Sequence, residues 1–164
     1  MKPLQFKFVL IVFVLALFTS CSNEEDGIYF NEINEVKNNY SLLELDILDL
    51  VNEHRESQGM ESLNILNIIS SVAYSHTTYM TEIDKASHDN FSQRQENLIE
   101  NAAAKSVGEN VAYGFTTANG VVSAWLRSES HRSVIENKHY THFGISIEKN
   151  KEGRNYFTQI FIKK

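Results

Sequence analysis

The chain has 164 residues, with 21 acidic side chains against 15 basic ones and a formal net charge of −6. A nucleic-acid binder would show a basic stripe, whereas Lys and Arg are scattered here apart from the Lys163–Lys164 end, so no nucleic-acid partner is expected. A single cysteine, Cys21, excludes an internal disulfide framework, and the chain beyond the N-terminal segments is long enough to bury one core.

Residues 1–20 have the layout of a secretory signal. Lys2 and Lys7 precede an apolar run from Phe8 to Phe18, too short to span a bilayer comfortably, and small polar Thr19 and Ser20 follow. Leu17-Phe18-Thr19-Ser20-Cys21 resembles a bacterial lipoprotein box, which implies that Cys21 is lipidated and becomes the mature N-terminus. Two or three acyl chains there anchor a protein stably, where one does not. Ser22-Asn23-Glu24-Glu25-Asp26 reads as a solvated tether, and it also resembles the surface-display signals of some outer-membrane bacteria. The expected organisation is therefore a signal over 1–20, a lipidated cysteine and acidic tether over 21–40, and a folded domain over 41–164.

In that domain Ser41-Leu42-Leu43-Glu44 is a capping box that opens a helix. Leu43, Ile47, Leu50 and Val51 share one helical face, and Gly59 stops the helix after Gln58. A second helix runs from about Leu66 to Met80 with a stripe of Ile69, Val72, Ala73, His76 and Met80, so His76 reads as a hydrogen-bonded core histidine. A short helix is expected over Phe91–Asn101. Ala118, Val121, Val122 and Trp125 give another helical stripe, and Asn119-Gly120 falls at its start rather than in a hairpin. The end of the chain changes period: Phe143, Ile145 and Ile147 alternate, Asn150–Gly153 turns, and Arg154–Ile162 runs back with apolar side chains on both faces. Helices first and an antiparallel sheet last, covered on both sides, predict a layered α/β/α or an α+β domain.

The stretch "GENVAYG", Gly108–Gly114, sets a glutamate before a run that reads as a buried strand. A carboxylate there is costly unless it has a partner or opens into a cleft. The flanking glycines suit a tight turn or a close backbone approach. His54 is expected on a solvated helix face, and His139 and His142 in a polar turn. His88 and His131 differ, because each sits where a helix meets a loop and the two bracket Glu109 in sequence.

"VNEHRESQG", "SHDNF", "GENVAYG", "AWLRSESHRSVIE" and "FGISIEK…YFTQIF" occur in the order and spacing of the CAP superfamily. That group includes cysteine-rich secretory proteins, antigen 5 and pathogenesis-related proteins. The chain resembles its bacterial branch over about Leu42–Ile162. The resemblance implies a three-layer α-β-α sandwich with a mainly antiparallel central sheet, and a cleft of two histidines and two acids that often holds a divalent metal. Residue by residue, His88 and His131 match the histidines and Glu109 the acid of the "GEN" motif. The second acid of the family stands one residue nearer to the tryptophan than Glu129 does to Trp125, so either Glu129 completes a tetrad or the site is a triad. Lipid- and sterol-binding activities of the disulfide-rich eukaryotic members transfer poorly to a chain without their disulfides.

Three functions follow as expectations. The first is a lipid-anchored module at the bacterial envelope, with display on an outer membrane as one form of it, whose cleft binds an unknown ligand or envelope partner. In it His88 and His131 hold zinc or another divalent cation weakly, or a metal-free hydrogen-bonded cluster orders the cleft. The second is a metal-assisted hydrolase with Glu109 as the catalytic base on bound water. Neither an HExxH helix nor a GxSxG elbow is present, and Ser128 and Ser130 read as ordinary helix-end serines. The third is a structural lipoprotein with a vestigial cleft.

Overall fold

A computed structural model of the protein describes residues 39–164; the signal, Cys21 and nearly all of the tether lie outside the described residues. The chain forms α1 (Leu42–Ser57), β1 (Asn64–Ile65), α2 (Asn67–Glu82), α3 (Phe91–Ala102), β2 (Ser106–Tyr113), α4 (Ala118–Arg127), α5 (Glu129–Ile135), β3 (His142–Lys149) and β4 (Asn155–Lys163). No described helix is long and apolar enough to cross a membrane.

The capping box of α1 forms as its residue types require. Ser41 Oγ accepts from the Glu44 N–H at 3.3 Å, and Glu44 Oε2 accepts from the Ser41 N–H at 2.8 Å. Glu44 also accepts from the Ile147 N–H at 3.0 Å, so the cap ties α1 to β3. Just ahead of it, the Tyr40 hydroxyl donates to Asn67 Oδ1 at 3.0 Å and lies 2.8 Å from Ser70 Oγ. Docked structure therefore includes Tyr40, which the sequence assigned to the tether.

The sheet runs β1-β3-β4-β2. β4 pairs antiparallel with both β2 and β3, and only the two-residue β1 is parallel to β3. Register explains why β4 is apolar on both faces. Phe157 and Phe161 pair with Ile147 and Phe143 and pack under α1, α4 and α5, while Ile160 and Ile162 face the other way, onto α2 and α3. This is the expected three-layer α-β-α arrangement. The stripe on α4 is fully used: Ala118, Val121, Val122 and Trp125 are all buried. Trp125 also donates its indole N–H to the Val111 carbonyl at 3.1 Å, fastening α4 to the β2 edge of the sheet.

Two expectations need correction. His131 does not sit where a helix meets a loop, because α5 starts at Glu129 and Ser128 is both the C-cap of α4 and the N-cap of α5. His54 is not on a solvated face; its Nε2 lies 2.9 Å from Glu136 Oε1, just past α5. The neighbouring Arg55 is fully buried with no carboxylate partner among the described residues. Its Nη1 donates to the carbonyls of Ile135 at 2.6 Å and Asn137 at 3.0 Å, and its Nε to Glu61 at 3.0 Å. A guanidinium at the carbonyl end of α5 satisfies orphan acceptors and opposes the negative pole of the helix dipole. The last turn of α1 thus clamps α5 in place.

Candidate functional site

Glu109 lies on β2, where its side chain is 1% exposed. The two glycines of its motif do what the sequence suggested. A Cβ on Gly108 would collide with the Tyr140 hydroxyl, and Gly114 turns the chain at φ +82°.

The partner of Glu109 is one that the sequence reading missed. Arg94, on the first turn of α3 and itself 1% exposed, donates Nε to Glu109 Oε2 at 2.7 Å and Nη2 to Oε1 at 2.8 Å. This is the two-pronged geometry that suits guanidinium to carboxylate. The third prong, Nη1, donates to the Asp89 carbonyl at 2.6 Å. Asn90, at φ +59°, turns the chain into α3 and lets the loop of His88 and Asp89 fold back over Arg94. A signal for Arg94 was available. It occupies the same buried α3 stripe as Leu98 and Ala102, a place where an arginine needs a carboxylate.

His88 Nδ1 lies 2.8 Å from Glu109 Oε1. Burial pushes the Glu109 pKa up, but the hydrogen bonds from His88 and Arg94 and the charge of Arg94 outweigh it, and the carboxyl ends below its ordinary value. An ionised carboxylate only accepts, so the proton in this contact is on His88 Nδ1. A neutral His88 therefore presents a bare Nε2, and its side chain is 52% exposed.

His76 is the core histidine the sequence predicted, and it also holds the loop. Its Nε2–H donates to the Ser87 carbonyl at 2.7 Å, its ring stacks on Tyr79, and it lies 4.0 Å from Glu109 Oε1. Burial, then the nearby Arg94 charge, lowers its pKa, which keeps the ring neutral.

The second histidine arrives differently. His131 lies in α5, and among the described residues its ring has no hydrogen bond or ion pair. Only its carbonyl is held, by Asn110 Nδ2 at 3.1 Å. Burial, then the charge of His88, lowers the His131 pKa, so the two rings are near enough to repel when charged. Glu129 opens α5, is exposed, and makes no hydrogen bond or ion pair with His88, Glu109 or His131. The fold thus joins His88 to Glu109, brings the charge of His88 within reach of His131, and leaves Glu129 exposed at the start of α5.

As a metal site the donor set fits in part. Glu109 is buried and paired in two places with the Arg94 cation, which opposes a second cation on the same carboxylate. His88 Nε2 and the His131 ring are the nitrogens left over, and two imidazoles leave the remaining positions to water or a ligand oxygen. Among the described residues no group of three or more His, Cys, Asp or Glu side chains is arranged to hold an ion.

Comparisons agree with this architecture. The chain is 34% identical over 124 residues to the Bacillus subtilis membrane protein YlbC, covering 74% of this chain and 34% of that protein. It is 31% identical over 140 residues to YkwD of the same organism, covering 82% of this chain and 52% of YkwD. The chain thus spans about a third to a half of the length of these relatives. An outer surface protein from Borrelia burgdorferi shares the fold at a TM-score of 0.65 and 24% identity, covering 72% of this chain and 90% of that one. Residues 48–161 match the family described as CAP, the cysteine-rich secretory protein family, and the chain belongs to it.

Proposed function

We propose that this CAP domain is an extracytoplasmic binding module, tethered to a bacterial membrane by lipid on Cys21, whose His88–His131 cleft holds a ligand without turning it over. The state of Glu109 carries this reading. A general base needs access to the water it activates and a pKa near the working pH. Glu109 instead is buried, accepts three hydrogen bonds from Arg94 and His88, and has a pKa below its ordinary value. That disfavours the hydrolase and recasts Glu109 as the group that orients His88.

In this reading His88 Nε2 and the His131 ring hold a divalent cation such as zinc. Glu109 is then the carboxylate behind a ligating histidine, which fixes tautomer and ring orientation. When bound, the cation supplies a Lewis-acid point for an anionic or carbonyl oxygen of the ligand. Two protein ligands make its affinity modest. An envelope location is supported by the signal-like leader and by relatives named as membrane and outer surface proteins.

Calorimetric titration of zinc into the wild type and His88→Ala tests the cleft. The expected result is binding that weakens at least about tenfold in the variant and fades as pH falls below about 6.5. Equal heats from both proteins, or none from either, would remove the cation. Cell fractionation tests the anchor: Cys21→Ser should leave the membrane or stay unprocessed. A processed, membrane-bound Ser variant would end the lipoprotein reading.

A further inference from the structure

On the sheet face opposite Glu109, the middle of β4 carries a carboxamide inside an apolar layer. Gln159 is 0% exposed, lies between Phe157 and Phe161 on its face of the strand, and stands beside Ile145 of β3 and Asn110 of β2. Neither Gln159 Oε1 nor Nε2 has a hydrogen-bond partner in the protein, and nor does Asn110 Oδ1. Buried amide atoms are almost always satisfied, by protein or by ordered water.

The orientation of Asn110 is fixed. Its Nδ2 donates to the His131 carbonyl at 3.1 Å, and turning the amide over would set oxygen against oxygen. Oδ1 is therefore the atom left over. Register decides how far away Gln159 stands. Gly114 donates its N–H to the Asn155 carbonyl, and the even-numbered residues of β2 share that phase, so Asn110 and Gln159 are a hydrogen-bonded cross-strand pair. Such pairs hold their Cα atoms about 5.5 Å apart, so the two carboxamides leave the sheet side by side on one face. They make no direct hydrogen bond to each other, and a water can bridge amide atoms that lie beyond direct reach.

We propose that Asn110 and Gln159 form an internal water site. One water donates to Asn110 Oδ1 and accepts from Gln159 Nε2, and a second serves Gln159 Oε1. The resulting line, Gln159 to water to Asn110 to the His131 carbonyl, connects the centre of the sheet to the first turn of α5. Gln159 is thereby a positioning residue for the second cleft histidine, reached from beneath the sheet surface. The site does not depend on whether a cation occupies the cleft.

A high-resolution crystal structure of the wild type tests it directly. Ordered water density within hydrogen-bond distance of both Asn110 Oδ1 and a Gln159 amide atom is expected. A dry interface, or a direct Asn110–Gln159 hydrogen bond, would overturn the proposal. Gln159→Met, which keeps length and removes both polar atoms, adds a test of sign. With bridging water it strands Asn110 Oδ1, lowers the melting temperature, and shifts the His131 ring resonances while leaving those of His88 in place. In a dry site it relieves two orphaned atoms, raises the melting temperature, and the proposal fails.

Discussion

The two walls of the cleft are built on opposite principles. On the His88 wall the side chains interlock: Arg94 grips Glu109 in two places, Glu109 holds His88, and His76 pins the loop through Ser87. On the His131 wall the ring has no hydrogen-bond partner among the described residues, while its segment is fixed by the buried Ile135 side chain and by backbone carbonyls held by Asn110 on one side and Arg55 on the other. The first wall fixes a side chain, and the second fixes a helix and leaves its side chain to adjust. One imidazole is thereby held rigidly and the other is free to adjust.

The largest way to break this contrast is to remove the buried cation of the rigid wall. Arg94→Met leaves the Glu109 carboxylate buried and unpaired and should cost about 3–5 kcal/mol. In a chain of this size that is a fall of more than about 10 °C in melting temperature. Adding Glu109→Leu should recover most of the loss, because a buried ion pair replaced as a unit by apolar groups is nearly neutral. Arg94→Met melting at the wild-type temperature would show that Glu109 reaches solvent.

Acid sharpens the comparison next. The His76 pKa is lowered by burial and then by Arg94, so its contribution is fully present above the unfolded value near 6.5 and is lost as pH falls from there towards the folded value. Glu109, also below its ordinary value of 4.5, contributes stability that is lost at more acid pH, as its own folded value is crossed. The rigid wall should therefore weaken in two stages. His76→Gln keeps an Nε2–H donor for Ser87 and should flatten only the first, seen as melting temperatures that no longer drop between about pH 7 and 5.5. An unchanged first stage would move that transition to another histidine.

The smallest effect separates the walls directly. His88→Ala removes a hydrogen bond to a charged, buried acceptor and should cost about 1.5–3 kcal/mol, whereas His131→Ala should stay within about 0.5 kcal/mol. Chemical denaturation of the two variants measures both. Equal losses would mean that the His131 ring carries a contact comparable to the one on His88.

What was legible in the sequence follows the same division. Helices α1 to α4 and the final hairpin announce themselves through caps, stripes and alternation, because each buries its apolar pattern against a neighbouring layer. β1 has two residues and no period to read, and it exists because β3 offers it an edge. α5 is seven residues long, shorter than a turn pattern can reveal, and is stabilised from outside by Arg55. Around the site, Glu109, His88 and His131 stand out by residue type and motif. Arg94 was hidden because a charged residue in a short polar helix normally faces water, and only its place on the Leu98 stripe betrays it.

The Arg55 clamp has a consequence for the order of assembly. Helices of this length are marginal on their own, and the residues joined by the clamp are 80 positions apart. Closing so long a loop must precede the reward of the contact, so α5 is consolidated only when the domain's first helix has found it. Until then the guanidinium stays hydrated and the second histidine has no fixed address. The His131 side of the site is thus completed by one of the most distant contacts in the domain, whereas a chain that has formed only its α2–α3 half already carries the Glu109 partner.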